Sequence, residues 1–504
     1  MNKLLDNQNI KEKISELKKR GHKVVMCHGV FDLIHIGHLS HFNEAKKLGD
    51  ILIISVTSDK FINKGIGRPV FNIDERLFAL SSLSMVDYVI PSNSATAEIN
   101  IKKIKPNFYV KGMDYADLKL DISNRILSEK KAVKSVGGKI VFTKSKLKSS
   151  SKILFDNNFI FPEKVTKFLV TLKKHTDRKN INTYFDRIKK LKVLIVGDTI
   201  IDRYVFCNSM GKASKDPMIV YEKLYSEMFL GGAASIASNC SALVDDVVFV
   251  TKLGLNNKQN YKFVKKKLRN VKLKEINSND SPINEKLRYV DELSNTKLMG
   301  LYDLNSSQSS EKNYKQLKTI VKNLDIYDLV IVLDYKHGLI NSKIASKLSK
   351  HKNCYINCQL NSSNKNDQKI KDYTNSKCIV INENELRFEM RDNTKDINAV
   401  IRKFANLYNI KNVVVTQGRE GLTLFQKKTN KFDFIPGFSS IAKDKVGAGD
   451  IILLMLGLFY TVSQNFKLSL SAASMLAAKA LQNYGNENIV NKEDLLKFFS
   501  TFID

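Results

Sequence analysis

A chain of 504 residues is long enough for two or three domains with complete cores, and a hydrophobic share of 43% excludes a disordered protein. Lys and Arg number 82 against 51 Asp and Glu, a formal charge of +31. The lysines are spread through every segment and the arginines are few, so the charge reads as background that favours anionic substrates; no nucleic-acid partner is expected.

Residues 1–21 are polar and charged, with Ile10, Ile14 and Leu17 on one helical face. That predicts a helix over 9–20 rather than a secretory leader. No apolar run has the length of a membrane span. The longest, Ile451 to Val462, has 12 residues and predicts a buried helix. The six cysteines, at 27, 207, 240, 354, 358 and 378, show no paired CxxC spacing. They read as free thiols of a cytoplasmic protein, without zinc.

The run Val24-Val25-Met26-Cys27 predicts a buried strand within Lys23 to His28. Gly29-Val30-Phe31-Asp32-Leu33-Ile34-His35-Ile36-Gly37-His38 follows, and a helix is expected from Gly37 to Leu48. Backbone N–H groups at a helix start attract anions, and the helix dipole adds to this. Gly37 lets a ligand approach the backbone, and His35 and His38 can donate to a phosphate whose charge grows in a transition state.

Ile51 to Val56 is a continuous apolar run, as in a parallel strand covered on both faces. It ends in Thr57-Ser58-Asp59-Lys60, and strand, helix and strand make a βαβ unit. A polar loop with Lys64, Gly65, Gly67, Arg68 and Pro69 follows, then a helix from Asp74 to Ser84 with Glu75-Arg76 in its first turn. Strands are expected at Val86 to Ile90, Phe108 to Val110 and Lys139 to Thr143, and Ser149 opens a short helix through Ile153.

In this order the pieces resemble the nucleotidylyltransferase domain of bifunctional ADP-heptose synthases, within the HxGH nucleotidylyltransferases. The shared signatures are Gly29 to His38, Ser58-Asp59, Arg68-Pro69-Val70, Glu75-Arg76, Lys111-Gly112-Met113-Asp114-Tyr115 and Ser149 to Ile153. Glycerol-phosphate cytidylyltransferases share much of the pattern, so the base is left open between ATP and CTP. The resemblance implies attack of a sugar-phosphate oxygen on a nucleotide α-phosphate, with pyrophosphate leaving. It assigns His35 and His38 to the phosphates as catalytic residues. Gly29, Phe31, Asp32 and Gly37 would line the nucleotide site, Arg76 and Lys111 would supply cations, and Ser150 and Ser151 would cap the last helix and donate to phosphate.

Residues 156–190 are rich in lysine and asparagine and predict one or two linking helices, with Val165, Phe168, Leu169 and Leu172 as apolar positions. Lys192 to Val196 is the next apolar strand, ending in Gly197-Asp198. Asp202-Arg203-Tyr204 comes next, then strand character to about Phe229, then a helix opening at Gly231-Gly232-Ala233-Ala234. The paired glycines allow close approach to a small polar ligand. Further strands are expected at Leu329 to Leu333, before Asp334-Tyr335-Lys336-His337-Gly338; at Cys378 to Ile381, before Asn382-Glu383-Asn384-Glu385; and at Val413 to Thr416, before Gln417-Gly418. Last comes Val446-Gly447-Ala448-Gly449-Asp450 at the start of the apolar helix. Small residues there expose successive N–H groups to a transferring phosphoryl group, and Asp450 can take a proton from a sugar hydroxyl. There is no Gly-x4-Gly-Lys-Ser/Thr, so this is not a P-loop.

These motifs resemble ribokinase-type (PfkB) sugar kinases, and within them the kinase half of ADP-heptose synthases. The resemblance makes Asp450 the base and Gly447, Ala448 and Gly449 the phosphoryl site. Asn382 and Glu385 would organise Mg²⁺, Glu385 indirectly, while Thr416 and Gly418 approach ATP. Asp198, Asp202, Gly231, Gly232 and Asn239 would contact the sugar. Four positions depart from the family pattern: Asn357-Cys358-Gln359 for Asp-Pro-Lys, Val446 for Thr or Ser, Ile451 for Thr, and Leu301 for an Arg two before Asp303. The synthases also usually carry the kinase first.

The expectation is an α/β chain in three parts. Residues 1–155 are a Rossmann-like parallel-sheet nucleotidylyltransferase domain, 156–190 a helical linker, and 191–504 a ribokinase-like α/β/α kinase with a small β lid. A sugar phosphate would be phosphorylated at C1 from ATP and then joined to a nucleotide, giving an activated heptose-like sugar for lipopolysaccharide. A CDP-forming enzyme, or a kinase half that only binds, is the alternative. Strand-like residues 203–229 could pair two copies through the lid. His35 to His38 and Lys146 to Lys152 also echo class I tRNA synthetases, but about 110 residues between them leave no room for the usual insertions.

Overall fold

The computed structural model describes residues 3–5, 9–62, 68–113, 125–144, 161–174, 178–278, 282–304, 311–359, 370–393, 396–438, 443–485 and 489–503. The chain divides into two compact units, Met1–Thr166 with Leu496–Asp504, and Lys167–Leu495.

The first unit runs α1 (Ile10–Lys19), β1 (Val24–Gly29), α2 (Ile36–Lys46), β2 (Ile51–Thr57), α3 (Ile73–Ser81), β3 (Tyr88–Ser92), α4 (Glu98–Ile104), β4 (Phe108–Gly112), α5 (Arg125–Ser135) and β5 (Lys139–Thr143). All its strand pairs are parallel, in the order β3-β2-β1-β4-β5. Strand residues point to alternate faces, so a strand covered on both sides must be apolar throughout. Val24 and Met26 accordingly join Ile10, Ile53 and Tyr109 in one core. Val25 and Cys27 join Phe42, Ile54 and Leu77 in the other. Sequential strands go one way from β1 to β3, and the chain then returns to β4 on the other side of β1. Ligands in open α/β sheets bind outside the strand ends at such a switch point, and residues 30–35 leave β1 there.

In the second unit α6 (Glu163–Lys173) spans the boundary and α7 (Arg178–Lys189) follows; β6 (Lys192–Gly197), β7 (Thr199–Lys212) and β8 (Ile219–Gly231) come next. After α8 (Gly232–Cys240) come β9 (Asp246–Gly254), α9 (Lys258–Lys267), β10 (Lys272–Ser278), β11 (Asn284–Asp291), β12 (Lys297–Asp303), α10 (Glu311–Ile320), β13 (Leu329–Asp334) and α11 (Ser342–Ser349). The rest is β14 (Cys354–Cys358), β15 (Cys378–Asn382), α12 (Glu383–Met390), α13 (Ile397–Leu407), β16 (Asn412–Thr416), β17 (Gly421–Gln426), β18 (Lys431–Pro436), α14 (Ala448–Ser463), α15 (Phe466–Ala480) and α16 (Lys492–Ile503), which like α6 spans the boundary. Nine strands form one sheet, β10-β9-β6-β13-β14-β15-β16-β17-β18, parallel except at its last two pairings. Helix α14 packs on β13, β14 and β15 and is buried from Asp450 to Phe459, the reason for its apolar run.

A second sheet, β12-β11-β7-β8, is the lid. Residues expected as one strand-like stretch from 203 to 229 are two long strands, β7 and β8, paired antiparallel as a ribbon. Asp202-Arg203-Tyr204 lies inside β7, which begins at Thr199. Helix α14 begins at Ala448, three residues before the apolar run, because Gly447 takes a left-handed φ of 77° and starts the turn early. Among the described residues no helix is long and apolar enough to cross a membrane.

Candidate active sites

In the first unit His35 is the N-cap of α2, and its Nδ1 accepts from Gly37 N at 3.1 Å. With Nδ1 accepting, a neutral ring carries its proton on Nε2. The His35 and His38 rings stack at 4.0 Å. Phe31 takes a left-handed φ of 47°, and its ring meets His38 edge-on at 5.5 Å and Phe42 at 5.1 Å. A Cβ on Gly29 would lie 2.9 Å from the Phe31 ring, so the small residue there lets that ring fold back. The two imidazoles thus stand together at a helix start beside the switch point, an arrangement suited to anionic oxygens.

Three neighbouring candidates are built into the framework instead. Asp32 accepts from Val70 N at 2.8 Å, Phe71 N at 2.9 Å and the Arg68 guanidinium. Burial pushes its carboxyl up, but those amides and Arg68 more than offset this and leave it below its ordinary value. Arg76 is 1% exposed, and its guanidinium donates to Val30 O, Thr57 O, Phe71 O and Asp59. It ties the loops after β1 and β2 to α3 rather than standing open to a triphosphate. Lys111, at the end of β4, is buried, pairs with Glu129 at 3.0 Å and lies over the Tyr109 ring. Ser150 and Ser151 lie outside the described residues.

In the second unit a cleft of about 790 Å³ opens where the parallel strands end, between the large sheet and the lid. Asp202, Gly232, Asn382, Glu385, Thr416, Gly418, Gly447, Ala448, Gly449 and Asp450 all line it. Asp450 lies in the first turn of α14, 7% exposed. Its Oδ2 accepts from Tyr335 Oη at 2.6 Å and its Oδ1 from Asn357 Nδ2 at 2.9 Å. Burial pushes its carboxyl up to about 6 against the pull of Tyr335, Asn357 and Lys286. Gly447 to Gly449 present the helix start, and a Cβ on Gly449 would meet no atom within 4 Å.

Asp198, just after β6, is buried and accepts from Tyr335 N at 3.0 Å and His337 N at 3.4 Å. Burial, with Asp334 nearby, pushes its carboxyl up to about 7. Asp202 on β7 pairs with Arg288 on β11. The paired glycines serve close approach: a Cβ on Gly231 would lie 2.3 Å from the Asp202 carboxylate, and one on Gly232, at φ 56°, 2.6 Å from the backbone carbonyl oxygen of Asp198. Asn382 and Glu385 form a reciprocal capping box on α12, so each has one polar atom committed to the helix start. Asn239 does not line the cleft. It is 2% exposed and accepts from Ile489 N and Val490 N, each at 3.0 Å, which holds α8 to that segment.

Nothing in the sequence pairs Tyr335 and Asn357 with Asp450 or marks Lys286 and Arg288 as cleft residues. Lys286 and Arg288 alternate on one face of β11 and enter the cleft beside Tyr302 and Tyr335. A two-residue alternation in a lysine-rich chain is no signal by itself. Asp444 is equally unmarked in the sequence; it accepts from Val446 N at 3.0 Å, Lys297 Nζ and the Tyr204 hydroxyl. Among the described residues no group of three or more His, Cys, Asp and Glu could hold a metal by itself. Glu385 lines the cleft with a buried carboxylate, which fits a cation held partly by water and phosphate oxygens.

Residues 26–157 match the cytidylyltransferase-like family profile, and residues 190–492 match that of pfkB family carbohydrate kinases. The first part is 40% identical over 127 residues to the bifunctional protein HldE of Blochmanniella pennsylvanica, covering 25% of this chain and 27% of that one. It is 42% identical over 114 residues to HldE of Yersinia enterocolitica, covering 22% and 24%. The chain thus spans about a quarter of the length of these curated relatives. A crystal structure of phosphofructokinase-2 from Escherichia coli in complex with potassium matches with a TM-score of 0.50 at 14% identity, covering 62% of this chain and all of that one. That likeness shows the fold alone.

Proposed function

Because this chain belongs to the pfkB family of carbohydrate kinases, which matches residues 190–492, we propose that its C-terminal half phosphorylates a sugar phosphate from ATP. Asp450 takes the proton of the attacking hydroxyl, at C1 of a heptose-like sugar. The freed oxygen bonds to the γ-phosphorus, the bond to the bridging oxygen breaks, and ADP leaves. The helix start at Gly447 to Gly449 faces the moving phosphoryl group. Asp198 and Asp202 orient the sugar; Thr416 and Gly418 border the nucleotide. Mg²⁺ supplies charge neutralisation on the phosphates when bound, and Asn382 and Glu385 would hold it indirectly through water.

The N-terminal half then transfers a nucleotidyl group to that sugar 1-phosphate. The sugar phosphate oxygen attacks the α-phosphorus and pyrophosphate leaves, with His35 and His38 on the phosphates. ATP and CTP remain the two candidate nucleotides, since imidazoles that touch only phosphate do not read a base. In this reading 1–155 is the nucleotidylyltransferase domain, 156–190 the link and 191–504 the kinase. The chain is cytoplasmic, and its product is a nucleotide-activated, heptose-like sugar for lipopolysaccharide. The exposed Met210, Ile219, Tyr225 and Leu301 of the lid sheet suit pairing of two copies.

The observation that carries the reading is Asp450, buried in the first turn of a helix whose small residues face the cleft. The test is incubation with ATP, CTP and a panel of heptose and hexose phosphates, with products identified by mass. Asp450→Ala should abolish ADP formation while leaving pyrophosphate release from a supplied sugar 1-phosphate, and His38→Ala should abolish pyrophosphate release alone. An Asp450→Ala protein that phosphorylates at the normal rate removes the kinase assignment.

A further inference from the structure

Each oxygen of the Asp450 carboxylate carries one hydrogen bond from a neutral donor, the Tyr335 hydroxyl on Oδ2 and the Asn357 amide on Oδ1. Two donors on opposite oxygens stop the carboxylate from turning about its Cβ–Cγ bond. They also leave on each oxygen a second lone pair for a substrate proton. The donors come from adjacent strands, Tyr335 from the turn after β13 and Asn357 from β14, whose register aligns Leu333 with Asn357.

The chemistry of both donors is suited to this. Tyr335 is buried and held well above its ordinary value by burial and by Asp450 itself, so its hydroxyl stays a donor throughout the working range. Asn357 cannot ionise. Its Oδ1 is buried without a hydrogen-bond partner among the described residues, so the carboxylate alone decides which way the amide faces. Reversing it would set two oxygens against each other.

The charged groups that act most on Asp450 are Lys286 from β11 and Asp202 from β7, with Asp198 beyond Tyr335; Arg288, Glu383, Glu385, Arg419 and Lys445 also line the cleft. Helix α15 contributes Ser474, Ala477 and Ala478 to the cleft, β15 contributes Val380, Ile381 and Asn382, and α8 contributes Gly232. None of these carries a charge. With two carboxylates already close, a third at 357 would place like charges about 3 Å apart, a separation at which such groups share one proton. The carboxamide keeps the shape of an aspartate and removes that repulsion. The departure Asn357-Cys358-Gln359 from an Asp-led strand end thereby acquires a physical reason.

We propose that Tyr335 and Asn357 are paired positioning residues that clamp Asp450 through neutral donors and hold it ionised, and that the side chain at 357 sets the acid limit of phosphorylation. This rests on the reading of Asp450 as the kinase base.

The test is the pH profile of ADP release from ATP with a heptose phosphate acceptor, in the full chain. Asn357→Asp should move the acid limb of kcat/KM upward by about one pH unit or more, with KM for ATP changed less than about threefold, because the defect lies in the base and not in the nucleotide site. Tyr335→Phe, which removes the other donor without adding charge, should move the limb in the same direction by less. Carboxyl infrared difference spectra against Asp450→Asn should place the protonation of Asp450 at the same raised pH. Both variants keeping the wild-type limb would overturn the clamp. Asp450→Asn separates the two ideas: its loss of ADP release alongside an unshifted Asn357→Asp profile leaves the kinase standing and removes the clamp, whereas full activity in Asp450→Asn removes the base.

Discussion

Gly231 and Asp202 occupy one place: a Cβ on Gly231 would lie 2.3 Å from Asp202 Oδ2. The residues face each other across the β7–β8 ribbon, where Ile200 pairs with Gly231. Gly231 has an ordinary φ of −121°, so the glycine serves close approach rather than backbone strain. Gly231→Ala should push Asp202 off Arg288. We expect KM for the sugar acceptor to rise tenfold or more while KM for ATP holds, with a loss of about 1–3 kcal/mol in stability. Initial-rate kinetics in both substrates and a denaturant melt check this.

Asp444 joins the lid to the anion-facing turn, accepting from Tyr204 on β7, Lys297 on β12 and the Val446 amide. Asp444→Ala strands a buried hydroxyl and frees the residue before Gly447. A fall of tenfold or more in kcat is expected, with a stability loss of about 3 kcal/mol, the scale for breaking a buried pair. Tyr204→Phe keeps Lys297 and the amide and should lose less on both counts.

Arg76→Met tests whether a conspicuous cation is framework or ligand. Removing a 1%-exposed guanidinium leaves Val30 O, Thr57 O and Phe71 O without their donor. The first unit should lose about 3–5 kcal/mol, while KM for nucleotide in the folded fraction stays within about threefold. A large rise in KM with an unchanged melting temperature would return Arg76 to the phosphate site.

Asp198 makes stability depend on pH. Its carboxyl is pushed up to about 7 from 3.8, by burial first and then by Asp334. Between these values the native state holds a proton that the unfolded chain has released. Stability from this group is complete below about pH 4 and is lost as pH rises through about 7. Asp198→Asn should therefore flatten the stability profile over that window and be the more stable protein at pH 8. Urea melts at pH 5 and pH 8 decide it, and an equal slope in both proteins would refute it.

Two kinds of feature were legible without coordinates. The first is the parallel strands: β1, β2, β6 and β13 lie between covered faces, so Val24 to Cys27, Ile51 to Ile54, Val193 to Val196 and Leu329 to Leu333 are unbroken apolar runs, whatever packs on them. The second is chemistry held in one short stretch. Gly29 to His38 and Gly447 to Asp450 each make a helix start, and a helix start is specified by residues a few positions apart. These local features were enough to outline two α/β units and their motifs.

Partnership was not legible. Tyr335 and Asn357 stand 115 and 93 residues before the carboxylate they hold. Asp32, Arg76 and Asn239 look like ligands in a motif, yet in the fold they tie loops and helix ends together. Which segments are buried strands and where phosphate can meet a helix start can be read along the chain, because apolar patterning and backbone geometry act locally. Which polar side chains face a cleft and which hold the frame is set by the fold. A charged or amide group is satisfied by whatever the strand order sets beside it, and no spacing along the chain encodes that neighbour.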